Sequence, residues 1–517
     1  MRRIGIDVGG TNTDAVLIED GQVAAAVKAP TSEDVTGGIL DAIGRLQATG
    51  ALAGKRIDAV MIGTTHFMNA VVQRRQLTRV AALRLGMPAS ASLPPFCDWP
   101  ADLARLVEGG VWMVEGGHEY DGRPFMPLDG GAVRLAAREM KAKGLRSVAI
   151  SAIFSPLDPS HEREAAAIVA QENPGAVITC SCDLGRIGLL ERENAGLLNT
   201  ALADLARDTI AAFEAAIRDS GIAAPLFITQ NDGTVAEAAQ ARRLPVYSFA
   251  SGATNSMRGA AYLSGLQEAM VIDVGGTTTD IGQLRNGFPR EANSVVRIGG
   301  VRTLFRMPDL VSIGLGGGSH VSLEPLKIGP LSVGYRLLSE GIAFGGAQLT
   351  TSDIAIAAGL IAIGARARVA HLNEAIRARV LGEAKRMIEE SVDAMKTEAG
   401  DVPLIAVGGG AFLVPDRLEG VSRVIRVRHG DCANAVGAAI AQVSGEVDQV
   451  FRDLSRGDAI AKAAALAADR AVAAGADRTT LQTVETEDIP IAYLPGNSVR
   501  VRVRVVGDVA ADKRPAG

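Results

Sequence analysis

Cysteine, aromatic side chains and long apolar runs are all scarce in this chain. Four cysteines occur in 517 residues: Cys97, Cys180, Cys182 and Cys432. None forms a C-x-x-C pair, and Cys180 and Cys182 are too close for an unstrained bridge. A disulfide scaffold and a zinc-thiolate centre are therefore excluded, and these two neighbours are expected to be buried thiols. Aromatics make up 4%, so small apolar residues and glycines must do much of the packing and turning. The longest apolar runs, such as "DIAIAAGLIAIGA" (353–365), fall short of the ~20 residues a membrane span needs. The N-terminal "MRRIGIDVGG" starts a strand at once and lacks the apolar stretch of a signal peptide. A soluble, cytoplasmic protein is expected. The net charge of −5 offers no general attraction to nucleic acid or an anionic membrane.

What is present is a chain with two or three lobes' worth of residues. Residues 3–27 read as a strand meander, with Asp20-Gly21 as a hairpin turn. A helix over 32–50, capped by Ser32, follows. Strands are expected over 57–65, 146–155, 176–185, 225–233, 269–276 and 404–412. Helices are expected over 66–75, 161–173, 234–243 and 373–400. A second hairpin turns at Asn286-Gly287. Residues 458–477 read as an alanine-rich helix, and 498–510 as a half-exposed strand alternating basic and apolar residues. The expected division is a first lobe over 1–175, a second over 176–445 and a C-terminal appendage over 446–517.

One motif occurs twice: "DVGGTNTD" at 7–14 and "DVGGTTTD" at 273–280. The same spacing separates Asp7 from Asp273, Asp14 from Asp280, and Gly21 from Gly287. A match through strand, turn, strand and hairpin glycine predicts two equivalent lobes in an α/β fold. Glycines after a strand let backbone N–H groups approach an anion, and the threonines add hydroxyl donors. An aspartate cannot face a phosphate directly, but it can do so through a divalent cation. Two such hairpins facing each other suit the phosphate tail of a Mg-nucleotide. A third glycine turn, "VGGGAF" (407–412), suits close approach to a nucleoside. The plain alternative is a pair of tight hairpins with side-chain turn bonds.

The pattern resembles the actin/Hsp70/sugar-kinase superfamily, and more closely the A-subunit family of ATP-dependent hydantoinases and 5-oxoprolinases. The opening "GIDVGGTNTDAVLIEDG", the segment "GTTHFMNAVVQRR" (63–75), the central block 225–280 and "IGLGGGSHV" (313–321) carry the resemblance over about residues 1–445. It implies two duplicated actin-like (ribonuclease H-like) lobes with mixed sheets around an ATP cleft. It also implies ATP-driven opening of a cyclic amide such as a hydantoin, oxoproline or lactam, with ATP and Mg²⁺ as cofactors and a B-type subunit as a possible partner. By position, Asp7 and Asp273 would hold hydrated Mg²⁺. Gly9, Gly10, Thr11, Asn12 and Thr13 would cradle one side of the phosphates, and Gly275, Gly276, Thr277 and Thr278 the other. Asp7, Asp273, Thr11 and Thr277 would serve catalysis, and Gly408, Gly409 and Gly410 would lie against the nucleoside.

Gly316, Gly317, Gly318 and Ser319, with His66 and Asn69, are candidates for substrate contact; the glycine run reads equally as a tight turn. His320 is a weaker candidate. Asp14 and Asp280 are expected to bond hairpin backbone rather than to act in catalysis. No general base is identifiable. The chain departs from the family at "SGATNS" (251–256), where S-G-P-A-G-G is common. That departure keeps two alternatives open: a nucleotide-dependent switch acting on a partner protein, and a small-molecule kinase. No nucleic-acid or membrane partner is expected, and a homo-oligomer is.

Overall fold

The computed structural model describes residues 1–9, 12–30, 35–185, 187–292, 296–491 and 498–510. Ser32 and the first turn's Gly10 and Thr11 lie outside the described residues. The duplication is a duplication of sheet topology. In the first lobe the strands run Gln22–Pro30, Asn12–Glu19, Arg2–Val8, Ala59–Thr64, Leu226–Thr229. In the second they run Phe288–Pro289, Thr279–Arg285, Ala269–Val274, Val402–Val407, Val421–Arg426. Each lobe is an antiparallel meander followed by two parallel strands. Asp7 pairs with Asp14 across the first hairpin, and Asp273 with Asp280 across the second. The turn residues take the left-handed conformation a tight hairpin needs, with φ of 49° and 75° at Asp20-Gly21 and 51° and 74° at Asn286-Gly287.

Arg2–Val8 is buried along its whole length, as expected of a strand covered on both faces. One cover is Val35–Ala48, whose Ile39, Ile43 and Leu46 pack on Ile4, Ile6 and Leu17. The opposite cover is Ala433–Ile440, which returns from the second lobe and sets Ala435, Val436 and Ala439 against Val16 and Ile18. The outgoing crossing is Ser251–Ser264, whose Met257, Ala260 and Ala261 pack on Val271, Leu284 and Ile405 of the second sheet. The two crossing helices meet backbone to backbone at a waist between the lobes. A Cβ on Gly259 would strike the Ala433 carbonyl, and one on Gly437 the Asn255 carbonyl.

Three expectations are corrected. Residues 234–243 are not one helix: Thr234–Glu237 is a strand and Ala238–Arg243 the helix. Thr234–Glu237 pairs with Leu226–Thr229 on one side and with Gln442–Phe451 on the other, and that pairing outweighs helix propensity. Residues 446–517 are not an appendage. Gln442–Phe451, Val499–Gly507 and Gln482–Pro490 extend the first lobe's sheet to nine strands. The basic strand is nearly all buried rather than half-exposed. Its apolar face lies under the helix Arg456–Ala473, whose Ala459, Ala463, Ala467 and Ala471 form a stripe at i, i+4 spacing. Only so small a stripe lets the helix settle over Gly445, where a Cβ would meet the helix backbone. The other face carries Arg502 and Arg504 into an ion-pair network described below.

Between the fourth and fifth strands of the first lobe, the chain builds a separate parallel sheet: Glu108–Glu115, Val80–Met87, Ser147–Ala152, Val177–Cys180. Residues 176–185 thus give a strand of four residues followed by a 3₁₀ turn. Among the described residues no helix is long and apolar enough to cross a membrane.

Candidate active site

The register places the repeated motif at the same edge of both sheets. Gly9 N donates to Asn12 O at 3.1 Å, closing the first turn, and Gly275 N donates to Thr278 O at 2.9 Å, closing the second. Asp7 lies beside Gly63 on the neighbouring parallel strand, and Asp273 beside Val407. The two aspartates are near enough to repel each other. Burial, then Asp14 and Asp273, push the Asp7 carboxyl up to about 7 from an ordinary 3.8. Burial, then Asp280, push Asp273 up to about 6. Lys28 lowers both pKa values but offsets only part of the burial effect, and carboxylates in such surroundings are what a divalent cation relieves. Among the described residues no group of three or more His, Cys, Asp and Glu side chains could hold a metal. Asp7 and Asp273 are the carboxylates at these turns that could take part in holding a metal.

Three residues that the sequence reading missed come from the waist. Asn434 Nδ2 donates to Asp7 Oδ2 at 3.3 Å and lowers its pKa against the burial effect. Ser256 lies beside Asp273 and lowers its pKa against the burial effect. Asn255, fully buried, donates from Nδ2 to Thr229 Oγ1 at 3.0 Å, and its amide closes on the space beside Gly63 and Asp7. All three sit on the two crossing helices, so the elements that join the lobes bring polar side chains to each lobe's aspartate. The signal available in the sequence was "TNSM" and "CANA", polar residues inside otherwise apolar helices.

The remaining candidates separate cleanly. Asn12, Thr277 and Thr278 are exposed at the turns, while Gly9, Gly275 and Gly276 are half-buried. Thr13 is fully buried in its strand, so it faces the core rather than the cleft. In the third turn Gly408 has φ of 88° and a Cβ there would collide with Asp273. Gly410 N donates to Val274 O at 2.7 Å, and Gly409 is exposed with open space where a Cβ would be. This turn thus wraps the second aspartate and leaves Gly409 free to face a ligand.

Gly316, Gly317, Gly318 and Ser319 are not free substrate contacts. They are buried under the second turn. Gly317 N donates to Gly275 O at 3.0 Å and Gly318 N to Gly276 O at 2.7 Å, while Ser319 Oγ takes the Gly316 N–H at 2.8 Å. A Cβ on Gly316 would lie 2.7 Å from Gly276 and Thr277 backbone atoms. The glycine run is a bracket that fixes the second turn, and the tight-turn reading is the correct one for it. His320 continues into the strand Ser319–Leu323 and bridges to Thr350.

His66 opens the helix His66–Gln73 at the edge that carries Asp7, with its N–H donated to Thr64 Oγ1 at 3.1 Å. Burial holds its imidazole below the usual range. Asn69 is exposed one turn on and donates to Thr65 Oγ1 at 3.3 Å. Asp14 and Asp280 find partners on adjoining strands rather than on hairpin backbone. Asp14 takes both bonds from Lys28 Nζ at 2.8 Å, and Asp280 accepts from the Ser312 hydroxyl. Cys180 is buried and Cys182 half-buried, both as free thiols.

Two lobes of one topology, hinged by two crossing helices and presenting facing aspartate–glycine turns, define the actin-like class of fold. Crystal structures of ATP-dependent caprolactamase from Pseudomonas jessenii (20% identity, TM-score 0.78, covering 99% of this chain and 88% of that one) and of acetone carboxylase without nucleotide (17%, TM-score 0.69, 100% and 89%) share it. The model for the hydantoinase/oxoprolinase N-terminal region matches residues 3–173, and the hydantoinase/oxoprolinase model matches residues 192–367. The chain belongs to the hydantoinase/oxoprolinase family. It is 27% identical over 398 residues to the caprolactamase subunit alpha of Pseudomonas jessenii, covering 70% of this chain and 55% of that protein. It is 26% identical over 398 residues to the acetophenone carboxylase gamma subunit of Aromatoleum aromaticum, covering 70% and 53%. The chain thus spans about half the length of the curated relatives it matches.

Proposed function

We propose that this chain is the ATP-dependent subunit of an enzyme that activates the carbonyl of a cyclic amide, hydantoin-, oxoproline- or lactam-like, by phosphoryl transfer before ring opening. The observation that supports this most is the pair Asp7 and Asp273, both pushed up in pKa by burial, each ahead of a phosphate-type turn on a separate lobe. An amide carbonyl resists water because its carbon is a poor electrophile and its oxygen a poor leaving group. Placing a phosphoryl group on the oxygen removes both obstacles. Such transfer asks mainly for positioning and charge neutralisation.

The exposed hydroxyls of Thr277 and Thr278 and the Gly275 and Gly276 backbone would hold the phosphates from one side. Gly9 and Asn12, with Gly10 and Thr11, would hold them from the other. Gly409 would face the nucleoside. Mg²⁺, held through Asp7 and Asp273, supplies neutralisation of the phosphate charge. Asn434 holds Asp7 by a hydrogen bond, and Asn434 and Ser256 favour the ionised forms of the two aspartates. Closure of the lobes about the waist excludes water, which protects an activated carbonyl from premature loss. The names of the relatives, caprolactamase subunit alpha and acetophenone carboxylase gamma subunit, fit a chain that works with a second subunit, such as a B-type hydantoinase subunit.

The deciding experiment is calorimetry of Mg·ADP binding together with a screen of cyclic amides and imides for stimulated ADP release. Binding that vanishes in Asp7→Ala, with release raised by at least one ring, is the expected result. No binding to the wild-type chain, or identical binding by Asp7→Ala, overturns the reading. ATP turnover indifferent to every ring but raised by a partner protein identifies a nucleotide switch instead. A stable phosphorylated product identifies a kinase.

A further inference from the structure

A chamber of about 770 Å³ lies where the parallel sheet, the first lobe's sheet and the Leu304–Arg306 segment meet. Nothing in the phosphate turns uses it. Its size is that of a small-molecule site. One wall starts at Gln230, the residue after the strand Leu226–Thr229. Thr229 and Asp7 both border the position beside Gly63, at 3.3 and 2.8 Å from where its Cβ would be. Two strand spacings, ~10 Å, thus separate the Asp7 strand from the chamber's wall.

The chamber's charges show what it would take. Every carboxylate in its lining is already committed. Glu446 is paired by Arg306 at 2.5 Å and by Arg502 at 3.3 Å, Asp232 by Arg504 at 3.1 Å, Asp448 by Arg500 and Asp183 by Arg163. Burial alone would raise Asp232, yet Arg504, Thr234 and Arg306 hold it below the usual range. Two further arginines in the lining, Arg243 and Arg470, have no carboxylate within ion-pair distance among the described residues. Arg470 donates from Nη1 to the Glu446 carbonyl at 2.6 Å, which anchors its guanidinium at the strand Gln442–Phe451. Leu157, Leu304 and Phe305 supply apolar surface between these charges. A guanidinium with free N–H groups beside an apolar wall selects a carboxylate on a small organic body.

We propose that this chamber binds a small carboxylate-bearing molecule, with Arg243 and Arg470 recognising the carboxylate. The molecule is either the acceptor of the phosphoryl group, which rests on the function proposed above, or an effector, which does not. The test titrates the chain with 2-pyrrolidone-5-carboxylate and glutarate, and with their neutral amides, by calorimetry. The same titrations are made on Arg243→Ala, Arg470→Ala and the double variant. Both side chains are exposed, so the variants should fold, and Mg·ADP binding serves as the control.

At least one carboxylate should bind tenfold or more tightly than its amide, and the double variant should lose that preference while keeping its Mg·ADP affinity. Ligand-stimulated ADP release marks an acceptor, and binding without stimulation marks an effector at the same site. If no carboxylate is preferred over its amide, or the double variant keeps the preference, the chamber is not a carboxylate site. Absence of Mg·ADP binding in the wild-type chain would sink the phosphoryl-transfer reading and leave the chamber result to be judged on its own.

Discussion

The two phosphate-type turns share an eight-residue motif, seven residues of it identical, and the same closing backbone bond, while the described contacts beside them differ in kind. The second turn rests on backbone: Gly317 and Gly318 donate to the Gly275 and Gly276 carbonyls from a buried bracket. Beside the first turn, Lys28 satisfies Asp14 with two bonds and also donates to Asp431 O at 2.6 Å, next to the waist helix that carries Asn434. Around the second turn the described contacts are backbone bonds, and beside the first they are the Lys28 bonds to Asp14 and Asp431.

Replacing Asp7 or Asp273 by alanine should each lower Mg·nucleotide affinity by about a hundredfold or more, because either loss halves the protein's negative ligation of the cation. Calorimetry in Mg²⁺ measures this, and a loss confined to one aspartate would break the equivalence of the turns. Gly316→Ala strikes the second turn alone. Its Cβ would press on Gly276 and Thr277, at a cost of about 1–3 kcal/mol, visible as a lower midpoint in urea and weaker nucleotide binding. Lys28→Met strikes mainly the first lobe and strands the Asp14 carboxylate. A cost of about 1–3 kcal/mol is expected, and it should shrink in Lys28→Met/Asp14→Asn.

The pH dependence sharpens the contrast further. Asp7 and Asp273 bind their protons more tightly folded than unfolded, so both stabilise the metal-free protein fully below about pH 4. That contribution is lost as pH rises through about 6 for Asp273 and about 7 for Asp7. Thermal unfolding in EDTA should therefore weaken between pH 5 and 8, and Asp7→Asn should flatten the profile more than Asp273→Asn. Mg·ADP should restore stability at the alkaline end. The smallest effect belongs to Asn434→Ala, which removes one bond to Asp7 and should weaken Mg·nucleotide binding by a few-fold with little change in the unfolding midpoint.

Local signals carried much of this fold. The hairpins at Asp20-Gly21 and Asn286-Gly287 are legible because positive φ at two successive residues is a demand few sequences meet. The repeat is legible because Asp7, Asp14 and Gly21 recur in order at Asp273, Asp280 and Gly287. What failed was whatever depended on a distant neighbour. Thr234–Glu237 is a strand only because two strands flank it, one of them more than two hundred residues on. "SVRVRVRVV" shows the alternation of a half-exposed strand. Arg502 and Arg504 are buried because Glu291 and Glu485 reach both and Glu446 reaches Arg502, from three other segments. Burial raises the cost of each charge, and only this mutual pairing offsets it.

The sequence alone determined that two lobes present aspartate–glycine turns and that the turns suit a phosphate tail. Backbone conformation and motif order are local properties, and a duplicated motif is visible without coordinates. The tertiary structure decided the rest. It showed that Gly316–Ser319 is a brace rather than a contact, that Asn255, Ser256 and Asn434 meet the aspartates at the waist, and that the C-terminal strands complete the first sheet. Each of these turns on which atoms are already bonded and which remain free, and that depends on residues brought together from hundreds of positions apart.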